Sequence, residues 1–246
     1  MSHEFGSIWK PIEFPTTADG KFHRNLWEER SRKSVTMDLE FLFPAVDGSR
    51  LMTQICIRNA KDEEVINTTI NHNCNVRELY KRNNGRIALL RAATGPPSDE
   101  PTPGKTIEEV ANKLKEYKFG TDVYMIVWSS SFCDWTILYK SLKQIRGEGL
   151  MPPRTNVLRV NKALKTALRE FKLYYSLSDI YRLLLPDDRE LPLLAHTAGP
   201  DVLMTQKITN IYFQFTRQLL PLASVWHYLE KGPGDLLLDK ADGLVW

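Results

Sequence analysis

The 246-residue chain predicts an α/β fold built on a mixed β-sheet, an antiparallel meander followed by parallel strands, with helices on its faces. Three observations carry that expectation. Residues 35–43, 51–58 and 64–71 are short runs rich in apolar and β-branched side chains, joined by turn-sized gaps. Residues 122–128 form a continuous apolar run, the pattern of a strand buried on both faces. From Thr106 onward, stripes of helical period alternate with such runs.

Composition bounds the rest. With 42% hydrophobic and 26% charged residues the chain is that of an ordinary globular protein, which excludes wholesale disorder. No apolar run approaches the roughly 20 residues a membrane helix requires, and no secretory leader is recognisable at the start. Cys56, Cys74 and Cys133 are odd in number and scattered, against both a disulfide framework and a structural zinc site. A reducing intracellular compartment, cytoplasmic or nuclear, is the expectation. The net charge of +3 permits a nucleic-acid partner without demonstrating one.

Residues 1–33 lack helical or strand period and contain Pro11, Pro15 and Gly20; they read as an arm over the domain, with Trp9, Phe14 and Trp27 as anchors. In the strand at 35–43, alternation sends Val35, Met37, Leu39, Phe41 and Phe43 one way and Thr36, Asp38, Glu40 and Leu42 the other. Pro44 and Asp47-Gly48 mark the next turn, and residues 76–82 a short helix. Residues 95–105, with four prolines, read as a loop, either mobile or a surface excursion near a substrate groove. Thr106 caps a helix over 106–118, with Glu108 and Glu109 in its first turn and Val110 and Leu114 facing inward. Trp135, Leu138, Leu142 and Ile145 form the next helical stripe. A short strand at 156–160 follows, then helices over 161–169 and 177–185 and a loop over 191–201. The last helix turns Met204, Ile208, Ile211, Phe215 and Leu219 inward and stops at Pro221. The expected organisation is an arm at 1–33, a domain at 34–221 and an extension at 222–246.

Chemistry concentrates at three acidic places. Asp38 and Glu40 lie two residues apart on one face of an otherwise apolar strand. Ionised carboxylates so placed resist burial unless a cation, a proton or hydrogen-bond donors compensate. Taken alone, an Asp-x-Glu is more often a solvated edge. Asp134 follows the buried strand at the start of a helix, where an acidic residue is ordinary. His196-Thr-Ala-Gly-Pro-Asp201 opens the last helix, with Thr197 as cap and Pro200 in the first turn. A loop histidine with an ordinary hydrogen bond is the plain alternative for His196.

Together the three follow an ordered pattern. Asp38-Leu39-Glu40, then Trp128-Ser-Ser-Ser-Phe-Cys-Asp134-Trp135 continuing to Leu138, then His196-x-Ala198-x-x-Asp201-Val202, resemble the three motifs of the DEDDh branch of the DnaQ-like 3′→5′ exonucleases, within the RNase H-like superfamily. Phe41 stands where a threonine is common, and Gly199-Pro200 inside the third motif is unusual.

The resemblance implies an RNase H-like sheet and hydrolysis of phosphodiester bonds from the 3′ end of RNA or DNA. It implies two Mg²⁺ or Mn²⁺ ions held by Asp38, Glu40, Asp134 and Asp201, Asp38 bridging, with His196 as general base for the attacking water. Leu39, Phe41, Leu42 and Trp135 become expected contacts for a single-stranded or 3′-overhang substrate. Lys81, Arg82, Arg86, Lys162, Lys165 and Arg169 are candidate phosphate contacts, though scattered cations are usually solvated surface. The competing expectation is a catalytically silent module of the same fold that binds nucleic acid or protein; protein partners would engage the terminal arms. A nuclease of the same superfamily cutting internally is a third.

Overall fold

The computed structural model describes residues 34–42, 50–82, 87–167 and 176–216. The expected arm at 1–33, Phe43, the turn at Pro44 and Asp47-Gly48, the side chains of Phe215 and Leu219, and the extension at 222–246 lie outside the described residues.

Five strands form one mixed sheet in the order β3-β2-β1-β4-β5. Strands β1 (Ser34–Leu42), β2 (Leu51–Asn59) and β3 (Glu64–Thr69) are the expected antiparallel meander, whereas β4 (Tyr124–Val127) and β5 (Val157–Arg159) add in parallel beside β1. The helices are α1 (Val76–Arg82), α2 (Ile87–Thr94), α3 (Ile107–Glu116), α4 (Cys133–Gln144), α5 (Val160–Ala167), α6 (Leu177–Leu184) and α7 (Ala198–Thr216). The short helix α2 had no counterpart in the sequence pattern.

Strand alternation divides the core in two. Val35, Met37 and Leu39 from β1 and Met125 and Val127 from β4 face a cluster closed by Val110 and Leu114 of α3 and Leu138 and Leu142 of α4. Tyr124 and Ile126 face the other way, against Leu164 of α5, Tyr181 of α6 and Met204 and Ile208 of α7. Every residue of β4 is therefore buried, which explains its unbroken apolar sequence. Met204, Ile208 and Ile211 point inward as their spacing requires.

Two local features bear on the site. The register of β1 against β2 shifts between Glu40 and Phe41, so Glu40 pairs with Gln54 and Phe41 with Met52. The proline-rich segment at 95–105 is tied to its neighbours by backbone hydrogen bonds. The Asn71 and Lys105 N–H groups donate to the Lys105 and Thr69 carbonyls, and the Val76 and Arg77 N–H groups at the start of α1 donate to the Glu100 and Ser98 carbonyls. Four prolines remove donors from this segment, while its carbonyls satisfy a helix start that has unmet N–H groups of its own.

Candidate active site

The geometry begins with a difference in strand length. Strand β4 pairs with β1 only through Ser34, Val35 and Thr36, and from Met37 onward β1 pairs, among the described residues, with β2 alone. Asp38 and Glu40 project where the parallel neighbour has ended, on the face opposite Met37 and Leu39. A crevice beyond the carboxyl ends of parallel strands is where open α/β sheets place their chemistry.

Two further elements close over that notch. After β4 the chain turns through residues 128–132 into α4, which puts Asp134 in its first turn, only 6% exposed. From the other side α7 lays its first turn on β2. Ala198 and Val202 pack on Cys56, the strand partner of Asp38, while the Ala198 N–H donates to Oε1 of Gln54, the partner of Glu40, at 3.3 Å. The small residue Gly199 allows the close approach, since a Cβ there would stand 3.3 Å from Nδ2 of Asn67. Asp201, one turn into the helix, is thereby held over the carboxylates of β1.

Glu40, His196 and Asp201 converge so that one potential ligand atom from each lies within 4.8 Å of the others. His196 takes a left-handed backbone conformation, φ 68°, and its N–H donates to Oδ2 of Asp201 at 3.2 Å. The second oxygen of Asp201, Oδ1, is buried without a hydrogen-bond partner. A buried carboxylate oxygen left this way costs free energy unless something positive approaches it.

The electrostatics agree. Burial, then the charges of Asp134, Asp201 and Glu40, holds the Asp38 carboxyl well above the usual range. Burial, with Asp201 and Asp134 beside it, pushes Glu40 up to about 7. Burial raises Asp134 to about 6 despite the opposing charge of Arg50, and raises Asp201 to about 6 despite the His196 N–H and imidazole. Burial is the first cause for all four carboxyls, and the neighbouring carboxylates add to it at Asp38 and Glu40. That donor set of hard oxygens with one imidazole fits divalent cations of the Mg²⁺ or Mn²⁺ kind. The group close enough to share one ion is Glu40, His196 and Asp201, whereas the resemblance implied the four carboxylates as ligands with His196 left free as base.

No family model matches the chain, and no curated protein matches it.

The side chains expected to touch substrate divide differently. Leu39 belongs to the core beneath the sheet. Leu42 was expected on the carboxylate face as a substrate contact; it is 1% exposed, enclosed by Val76, Leu79 and Tyr80 of α1 and Leu90 of α2, so it is used in packing. The Trp135 indole N–H donates to the Pro152 carbonyl at 2.8 Å, and its ring stacks on Tyr139 with Arg154 over it. Only Phe41 of the four keeps substantial surface, with the Arg50 guanidinium 5.1 Å above its ring.

Among the basic candidates, Lys81 and Arg82 are exposed on α1, Arg82 paired with Glu78, and Lys162 is half-buried on α5. The side chains of Arg86, Lys165 and Arg169 lie outside the described residues. Gln54, Cys56 and Arg50 were not identifiable from sequence as site residues. Their relevance follows from β1–β2 register and from the approach of Arg50 to Asp134, neither of which leaves a local sequence signal.

Proposed function

We propose that the chain is a metal-dependent 3′→5′ exonuclease of RNA or DNA with an RNase H-like fold, its site built from Asp38, Glu40, Asp134, Asp201 and His196. The observation that carries this reading is the convergence of five residues from three distant segments on one notch at the end of β4. Packing alone gives no reason to bury four carboxylates together, since each raises the cost of ionising the next. The order of motifs along the chain and the mixed five-stranded sheet support the same reading.

Bound at these carboxylates, divalent cations would supply charge stabilisation for the phosphoryl oxygens and the leaving 3′-oxygen. The chain's own residues do the remainder. Asp38, Glu40, Asp134 and Asp201 provide oxygen ligands on three rigid elements, so little ordering is left for the moment of binding. His196 is exposed while its backbone is tied to Asp201, which presents the imidazole at the mouth of the notch. There it takes a proton from the attacking water, a task suited to imidazole near neutral pH.

The test is Mg²⁺- or Mn²⁺-dependent shortening of a 5′-labelled single-stranded oligonucleotide, blocked by chelator and absent with a circular substrate. Asp38→Ala is expected to lose both metal binding and turnover. His196→Ala is expected to keep metal binding and lose turnover by about 10²–10⁴-fold, the usual contribution of a general base. Loss of metal binding in His196→Ala would make the imidazole a ligand instead, as its place in the tight group allows. Full activity in either variant would refute the assignment.

A further inference from the structure

A groove of about 530 Å³ opens beside Cys133, the chain neighbour of Asp134, and no residue of α7 lines it. One wall is a single face of α4: Cys133, Thr136, Ile137, Lys140, Ser141 and Gln144 recur at helical spacing along it. That face runs about 16 Å, from the turn holding Asp134 to the helix's far end. The opposite wall carries Arg50 and Met52 at the start of β2 and His72 beyond β3. Among the described residues its lining holds two cations, Arg50 and Lys140, and no carboxylate. The Arg50 guanidinium donates to Sγ of Cys133, the chain neighbour of Asp134, so the positive lining reaches the edge of the acidic notch.

Such a groove, with two cations, no carboxylate and apolar side chains between, fits an anionic chain that also carries apolar surface. We propose that it is a track for single-stranded nucleic acid, taking the nucleotides that precede the reacting 3′ end, with Lys140 and Arg50 on their phosphates. The assignment rests on the exonuclease reading for its direction, since the reacting end is placed at the carboxylates. Its length along α4 exceeds what one nucleotide fills, because a stacked strand advances only about 3.4 Å per nucleotide. Hydroxyl and amide groups of Thr136, Ser141 and Gln144 supply sequence-independent contacts between the cations.

The test separates binding from hydrolysis. Fluorescence anisotropy in chelator compares labelled oligonucleotides of two and six nucleotides on the full chain. Lys140→Glu is expected to weaken the longer one about tenfold, as loss of one charge-assisted phosphate contact does, and to lower its salt slope by about 1. The shorter one should bind almost unchanged. Lys143→Glu, on an exposed position of the same helix outside the groove, is the control and should leave both unchanged. Equal effects of the two variants, or none, would overturn the track. Hydrolysis in Mg²⁺ without a Lys140 effect overturns the track alone; a Lys140 effect without hydrolysis overturns the exonuclease reading and leaves a single-strand binding groove.

Discussion

At the scale of single residues, His196 combines an expensive backbone with an exposed side chain. A non-glycine residue at φ 68° costs on the order of 1 kcal/mol, and such positions persist where surrounding structure fixes them. Asp201 is what fixes this one, by accepting the His196 N–H. His196→Gly is therefore expected to be more stable than His196→Ala by about 1 kcal/mol in denaturant unfolding, while both lack turnover. The carboxylates offer a second test at this scale. Their carboxyls hold protons in the folded state to about pH 6–7, whereas unfolded carboxyls release them near pH 4. The folded state thus binds more protons in that window, and the cluster's contribution to stability is lost as pH rises through it. In chelator, Asp38→Asn should melt slightly above wild type at pH 5, where the unfolded carboxyl is already ionised, and further above it at pH 7.5, each kcal/mol of relief appearing as about 2–4 °C. Mn²⁺ should raise the wild-type midpoint at pH 7.5 and act weakly at pH 5. An equal loss of stability at both pH values would mean that Asp38 is held by hydrogen bonds and not pressed by neighbouring charge.

At the scale of elements, caps and close approaches decide what stays in place. The side chain of Thr106 accepts from the Glu109 N–H, and the Glu109 carboxylate accepts from the Thr106 N–H, a capping box visible in the sequence. Ser176 and Asp179 repeat it at α6. Just before α3, Gly104 sits at φ +100°, and a Cβ there would lie 2.0 Å from the Thr69 carbonyl oxygen. Backbone has to shift to admit it, which separates the proline-rich segment from the end of β3. Gly104→Ala should cost about 2–4 kcal/mol in urea unfolding, from overpacking together with a strained φ. A change below about 0.5 kcal/mol, the usual size for a neutral surface substitution, would show that this contact is dispensable. Legibility in the sequence follows the same division. Elements with strong period or cap chemistry, β1 to β4, α3, α4 and α7, were all readable. Helix α2 was not, because eight residues give barely two turns of pattern.

At the scale of the whole molecule, the site exists because α7 is docked on β2. Ala198 is 1% exposed against Cys56, so there is no room for a larger side chain. Ala198→Leu should keep its secondary structure by circular dichroism and lose about 1–3 kcal/mol of stability. Metal affinity, followed by calorimetry with Mn²⁺, and turnover should fall together, since Asp201 and His196 both ride on this helix start. Wild-type turnover in that variant would show that the helix can reseat without disturbing the carboxylates. Among the described residues no helix is long and apolar enough to cross a membrane.

Sequence alone determined the antiparallel-then-parallel sheet and the order of its elements apart from α2, and it singled out the acidic residues and His196 as candidates. Those follow from periodicity and from motif order, which are properties of short stretches. Tertiary structure decided which candidates share a site and which are used in packing. Nothing local in Leu42 or Trp135 distinguishes a ligand contact from a core residue; that depends on α1, α2 and the Pro152 carbonyl arriving beside them. The partnership of Asp38 with Cys56 and of Glu40 with Gln54 likewise depends on β1–β2 register. Register is set by the sum of many side-chain contacts across the sheet, so it is written in the fold and not in any one segment.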